Sequence, residues 1–393
     1  RQRHITLVSC LPPKFRRYRA LRTVSRSAVS WNIAMEERSF MPCKGDAAST
    51  NWIDTDAALH DAVAAWAAHS VIAIDTEFQR TDTFFPLPGL YQVAAGDDVY
   101  LIDPLAITQW QPFIDCLSDA AITKVMHACS EDLELIHHHL GIVPEGVFDT
   151  QLANAFQSAD YSTSYAKLVE ALLGVGLDKH ETRSNWLQRP LSERQLQYAW
   201  EDVHYLADMH AILLDGLRQH GREPWFDDLM AVRGEFARGA PEDYYRNVKK
   251  AWRLDALELG RLRGLCAWRE RTAMAEDVPR NRVVWDDHLL NFARASALTE
   301  DDVSQSLPRN VARRYAQDIV RQHAELTARN EALPLLDRPL TQAQSQISKS
   351  LREIARKCAD TLDVAHELIA RKRDIDHCIR HFLDTRELSP ACL

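Results

Sequence analysis

The 393 residues hold no apolar run approaching the ~20 residues that a helix needs to cross a bilayer, so a membrane-spanning helical protein is not expected. Paired cysteines are missing as well. The eight present are scattered, with no Cys-x-x-Cys pair and no His pair at zinc-finger spacing, which argues against a structural zinc site or a disulfide framework. They are expected to be reduced thiols, buried or incidental, in a cytoplasmic protein. A basic excess is also lacking. The formal charge is −9, which argues against broad coating of nucleic acid. That charge is unevenly placed: residues 1–49 carry ten Lys or Arg and three acids, a local +7 that leaves −16 for the remainder. A narrow channel whose metal ions supply the positive charge is compatible with this balance.

What is present is an ordinary globular composition, 46% hydrophobic and 26% charged. The chain is longer than one core usually supports, so two or three domains are expected. Residues 1–49, with the Arg-rich stretch from Lys14 to Arg26, show no hydrophobic periodicity and stand apart. They read as a basic nucleic-acid arm, an organellar transit peptide, or a disordered or non-native extension upstream of a later start such as Met35 or Met41. From Trp52 the pattern tightens. A cap region at Asp54 to Asp56 precedes a helix over 57–68, and Val71-Ile72-Ala73-Ile74 follows as a short buried strand. Further strands are expected at 90–95, 99–102 and 124–127, and helices at 130–140, 150–158, 165–173 and 192–217. Beyond about residue 240 no strand pattern remains. Helical spacing recurs at 254–274, 285–294, 299–306, 311–326, 342–358, 365–369 and 372–382, broken by Pro279, Pro308 and the stretch 333–339.

Three short segments carry candidate chemistry. Asp75 and Glu77 follow the apolar strand, and residues two apart on a strand share a face, so both carboxylates can converge. Asp132 opens a helix that Ser130 can cap, where acids also commonly just complement the helix dipole. Tyr198 and Asp202 lie four apart on a helix and so address one small volume. Each segment taken singly is also what ordinary solvation of a strand or helix produces.

Together, in this order, the segments resemble the three exonuclease motifs of the DEDD superfamily, in the subclass whose third motif has Tyr four residues before the last Asp. The surroundings sharpen the likeness. Asp75-Thr76-Glu77-Phe78, Gly89-Leu90-Tyr91-Gln92-Val93, His127 to Leu133, Phe148-Asp149-Thr150 and Asn185-Trp186-Leu187-Gln188-Arg189-Pro190-Leu191 resemble the ribonuclease D family over about residues 52–385. Two positions depart from it: Cys129 stands where the family usually has Gly, and Trp200 where it usually has a small residue. The resemblance implies a 3′→5′ exoribonuclease that releases 5′-mononucleotides. Asp75, Glu77, Asp132 and Asp202 would hold two divalent cations, Mg²⁺ or Mn²⁺, with Asp75 bridging them and Tyr198 orienting the attacking water. The chemistry agrees: four converging acids repel one another, and hard cations relieve that repulsion.

Gln92, His127, Arg183 and Arg189 are candidate contacts for the terminal nucleotide, and Phe85 or Trp186 could stack on a base, although core packing or plain surface polarity explains each equally well. The run His137-His138-His139 is no metal site, because successive helix residues point about 100° apart. In the helical tail, Leu265 to Arg269, Val278 to Asn281 and Asp287 to Leu289 resemble the helicase-and-RNase-D C-terminal (HRDC) module. A second copy is marked mainly by position and by residues 365–373. The expected fold is thus an α/β RNase-H-like exonuclease domain, a mixed sheet flanked by helices, followed by two all-α HRDC domains. The expected boundaries are 1–49 extension, 50–225 exonuclease, 226–248 linker, 249–330 first HRDC and 331–393 second HRDC-like domain. The expected partners are tRNA precursors and other small structured RNAs, met by a monomer with no membrane contact. A Werner-type DNA exonuclease and a catalytically silent RNA-binding protein are the alternatives.

Overall fold

The computed structural model describes residues 50–177, 184–233 and 240–387. Six strands make one mixed sheet: β1 (Thr50–Ile53), β2 (Val71–Gln79), β3 (Leu87–Ala95), β4 (Asp98–Ile102), β5 (Thr123–Met126) and β6 (Val147–Asp149), in the order β1-β4-β3-β2-β5-β6. β2, β3 and β4 form an antiparallel meander, while β1 joins β4, β5 joins β2 and β6 joins β5 in parallel. The apolar run in β2 is explained by burial on both sides: Ile72 and Ile74 enter one core and Ala73 the other. One face carries α1 (Asp56–Trp66), α2 (Gln111–Ser118) and α3 (Ser130–Leu140). The opposite face carries α4 (Thr150–Ala155), α5 (Tyr165–Leu173), α6 (Glu193–His204), α7 (Leu206–Gln219) and α8 (Glu223–Ala231).

Helices α2 and α8 have no counterpart in the sequence expectation, and three other differences follow. β1 and β6 are additional strands, of four and three residues, too short to show a period. The single helix expected over 192–217 is two, because Tyr205 leaves the helical ladder between α6 and α7. The interruption lets α6 lie across β2, β3 and β4 while α7 turns toward β5, α4 and α5. Third, the expectation of reduced thiols holds for Cys116, Cys129 and Cys266, which are buried and unpaired, but Cys378 is in a disulfide.

The tail is helical throughout its described part: α9 (Ala256–Ala275), α10 (Arg280–Val283), α11 (Asp286–Arg294), α12 (Glu300–Ser306), α13 (Arg309–Arg329), α14 (Gln342–Leu362), α15 (His366–Ile369) and α16 (Lys372–Thr385). Asp255 caps α9 through a reciprocal bond with Glu258, and the stretch between α13 and α14, which holds Pro334 and Pro339, has no regular secondary structure. Within 226–248, Phe226 belongs to the sheet's core, whereas Tyr245 and Val248 belong to the core around α9. No described helix is long and apolar enough to cross a membrane.

Both halves of the tail grip the sheet domain. Phe84, in the β2–β3 loop, is buried in the α9 core, with Arg280 4.8 Å over its ring. The backbone N–H groups of Phe84 and Phe85 both donate to Asp277 Oδ1 at 3.0 Å, and Arg282 pairs with Asp82 at 2.9 Å. On the other side, Ala365 N–H donates to the Ala155 carbonyl at 2.8 Å. The Arg222 guanidinium there donates to the carbonyls of Phe156, Leu362 and Asp363.

Candidate active site

Strand β2 carries the first two acids past the point where β5 stops pairing with it. Opposite them on β3 lie Gln92, across from Asp75, and Leu90, across from Glu77. The ladder shifts between Glu77 and Phe78, so Glu77 is the last acid before a bulge that bends the strand away. Next to it the chain comes unusually close: a Cβ added to Gly89 would sit 2.6 Å from Trp186 Cβ and 3.1 Å from the Glu77 carbonyl. Only glycine lets the Trp186 loop close over this end of the sheet.

Helix α6 crosses above β2 and supplies the next pair. Ser192 and Gln195 cap it reciprocally, and Ala199 and Val203 bury its lower face. Tyr198 and Asp202 therefore project together, and the Tyr198 hydroxyl donates to the Asp202 carboxylate. Carboxylate oxygens of Asp75, Glu77 and Asp202 lie within 4.8 Å of one another, the one group of this kind among the described residues. Asp132 arrives from the opposite layer, at the start of α3, and stands beside this trio. Its Oδ1 accepts a 2.6 Å bond from Thr76, the residue between Asp75 and Glu77 that points to the other side of the strand. Thr76, to which the sequence reading gave no role, thus ties the Asp132 carboxylate to strand β2.

The electrostatics are those of an uncompensated acid cluster. Burial, followed by the charges of Asp132, Asp202 and Glu77, holds the Asp75 carboxyl well above the usual range. Burial and the neighbouring acids push Glu77 to about 9. Asp202 rises to about 7 and Asp132 to about 6, again mainly through burial, although the bonds from Tyr198 and Thr76 pull each of them back. Burial and the acids also raise the Tyr198 and Tyr165 phenols, so both stay protonated, Tyr165 donating to the Glu201 carbonyl at 2.6 Å. Among the described residues no cationic side chain offsets these acids. An all-oxygen donor set of this kind fits one or more hard divalent cations.

The expected nucleotide contacts fare differently. Gln92 is fully buried, with both ends of its amide unpartnered, so it faces the interior and not a bound nucleotide. His127 Nδ1 lies 2.8 Å from Thr150 Oγ1, and its ring stands edge-on to Tyr165. Arg189 is corrected outright. Its five N–H groups go to both Asp103 oxygens (2.7 and 2.6 Å) and to the carbonyls of Gly89, Trp186 and Gln188, leaving no donor for a phosphate. Trp186, 3% exposed, is packed too deeply to stack on a base, and Phe85 already stacks on His138 at 3.8 Å. Arg183 lies outside the described residues. His139, bonded to Tyr91 at 2.8 Å, and His138 point to separate partners, as helical spacing predicts. Cys129, at φ −64°, needs no glycine; the left-handed residue is Ala128, at φ +54°. Trp200 is buried and stacked on His204 at 3.9 Å.

Comparison with known proteins agrees with this geometry. A 3′-5′ exonuclease family model matches residues 50–218 and an HRDC domain model matches residues 258–321. Fold and site therefore define a divalent-metal nuclease in which an exonuclease domain is joined to an HRDC domain. Ribonuclease D of Pseudomonas paraeruginosa is 39% identical over 338 residues, 84% of this chain and 89% of that protein. Ribonuclease D of Escherichia coli is 37% identical over 339 residues, with 83% and 89% covered. The crystal structure of E. coli RNase D, described as an exoribonuclease involved in structured RNA processing, superposes with a TM-score of 0.77 at 33% identity. It covers 86% of this chain and 92% of that one. The catalytic core of RRP6 from Trypanosoma brucei, at 20% identity and a TM-score of 0.58, shares the fold. The chain belongs to the ribonuclease D family, which comprises 3′→5′ exoribonucleases.

Proposed function

We propose that this protein shortens RNA from the 3′ end, releasing 5′-mononucleotides from tRNA precursors and other small structured RNAs. The observation that carries the reading is the convergence of Asp75, Glu77 and Asp202 oxygens within 4.8 Å, with Asp132 alongside. Those four residues would hold two divalent cations, Mg²⁺ or Mn²⁺, both of which hard oxygen donors suit. When bound, the cations let the acids ionise together and stabilise the charge that develops on the phosphodiester as it is displaced. The protein's own part is positional. Tyr198 stays protonated with its O–H directed to Asp202, which leaves a phenolic lone pair to accept from the attacking water and fix its approach. Thr76 holds Asp132 in place across the strand, and Trp186, 6.2 Å from the Tyr198 ring, walls the tyrosine against β3. The choice of RNA over DNA rests on the relatives named ribonuclease D. The presence of every acid and of Tyr198 speaks against a silent binding protein. On this reading the enzyme works as a monomer in the cytoplasm.

Asp75→Ala is expected to abolish Mg²⁺-dependent release of 5′-mononucleotides while RNA binding in EDTA persists. Unchanged turnover in that variant ends the metal-site reading, faster digestion of a matched DNA strand ends the RNA reading, and cleavage of a 3′-blocked substrate would mean an endonuclease.

A further inference from the structure

The turn that leads into α3 is held by a carboxylate that the catalytic reading leaves unused. Asp149, at the end of β6 and 0% exposed, accepts from the backbone N–H groups of Ala128 (3.0 Å) and Cys129 (3.3 Å). It also accepts from the Cys129 thiol at 3.5 Å and from the N–H groups of Gln151 (2.9 Å) and Leu152 (3.2 Å), as the cap of α4. Among the described residues its ion-pair partner is Arg233, whose Nη2 stands 2.6 Å from Asp149 Oδ2. Arg233 lies just past α8 and beyond the matched exonuclease stretch 50–218, with no local sequence pattern to mark it.

The turn needs this hold. Ala128 sits at φ +54°, a left-handed conformation that side chains rarely adopt. From the turn the chain enters α3 at once: Ser130 N–H donates to the Ala128 carbonyl at 2.8 Å and Leu133 N–H to the Cys129 carbonyl at 2.9 Å. Asp132 lies in that first helical turn, so the path from Arg233 runs through Asp149 and two backbone amides to the start of the helix that aims Asp132. Removing the guanidinium would leave a fully buried carboxylate with no cation against it, and the turn, already strained, is the part free to shift.

We propose that Arg233 is a positioning residue of the nuclease, acting through Asp149 and the Ala128–Cys129 turn to fix Asp132 beside Asp75. This rests on the catalytic reading of Asp132. The structure also offers a means of rescue. A groove of about 630 Å³, lined by Leu133, Val147, Asp227, Met230 and Arg233, opens onto the guanidinium, so a small cation can enter where the side chain has been removed.

The test uses the full-length protein carrying Arg233→Ala, Arg233→Lys or, in parallel, Asp132→Asn. It measures single-turnover release from a 3′-labelled RNA, the Mg²⁺ concentration for half-maximal rate, and Mn²⁺ binding by electron paramagnetic resonance. Arg233→Ala is expected to lower the rate and weaken metal binding by about 10- to 100-fold, the range for residues that orient metal ligands, with the KM for RNA changed less than about twofold. Guanidinium at non-denaturing concentration should recover part of the rate, and Arg233→Lys should fall between. A folded Arg233→Ala protein with unaltered metal binding, or one whose rate falls without any response to guanidinium, overturns the proposal. If Arg233→Ala does not fold, unaltered Mn²⁺ binding in Arg233→Lys overturns it instead. Full activity in Asp132→Asn would overturn the catalytic reading of Asp132, whereas a dead Asp132→Asn beside an unaffected Arg233→Ala removes this proposal alone.

Discussion

Tyr198 is a donor in this structure, and that decides what it can do for a water molecule. A phenol held above its ordinary range and bonded to Asp202 offers a lone pair and not a base, so the role proposed for it is orientation. Tyr198→Phe is therefore expected to lower kcat by about 10²-fold, at the modest end for a positioned acid–base group, with KM nearly unchanged. Quench-flow kinetics on an RNA oligonucleotide check this. The acids make a second prediction. Glu77, Asp202 and Asp132 keep their protons to about 9, 7 and 6 in the fold, against roughly 4 in an unfolded chain. Between those limits the folded state binds more protons than the unfolded state, so metal-free stability falls as pH rises. Divalent cation removes that penalty, and the rise in Tm on adding Mg²⁺ should be larger at pH 8 than at pH 5. An equal rise at both values would speak against a shared acid cluster. Asp75 with Glu77, and Tyr198 with Asp202, were legible as pairs through strand and helix spacing, whereas Asp132 joined them only through the resemblance to the exonuclease motifs. Arg189 was misread because a guanidinium that binds phosphate and one that binds Asp103 and three carbonyls look identical in one dimension.

Among elements, legibility followed length. The long periodic helices and the apolar strand β2 could be read directly, while β1 and β6 exist only because β4 and β5 offer them open edges. The break at Tyr205 carries no proline or glycine, so tertiary contacts alone decide it. The same dependence on packing governs β3. At Gly89 a methyl group would meet the Trp186 Cβ at 2.6 Å and two carbonyl oxygens near 3 Å, with backbone on two of the three sides. Gly89→Ala should therefore destabilise the protein by about 1–3 kcal/mol through overpacking, read as a shift of the urea midpoint. Because Trp186 flanks Tyr198, the folded fraction should also lose turnover. A variant with wild-type midpoint and rate would show that the loop yields freely.

At the scale of the whole molecule, the β2–β3 loop belongs to two cores. One end continues the strand that carries Asp75 and Glu77, and its tip, Phe84, fills the core around α9. Phe84→Ala should cost about 3–5 kcal/mol, as for other buried aromatics, and should split one calorimetric transition into two as the units uncouple. A single transition in the variant would mean that other contacts carry the coupling. The sequence pointed to a separate helical module but not to this seat, since nothing in a lone phenylalanine tells which core receives it. The seat also sets an order of events during synthesis. All four acids and Tyr198 emerge from the ribosome before Asp277, which binds the Phe84 and Phe85 amides across a separation of 193 and 192 residues. A nascent chain thus carries all four acids proposed as ligands while the loop that continues their strand still lacks its anchor in the helical tail.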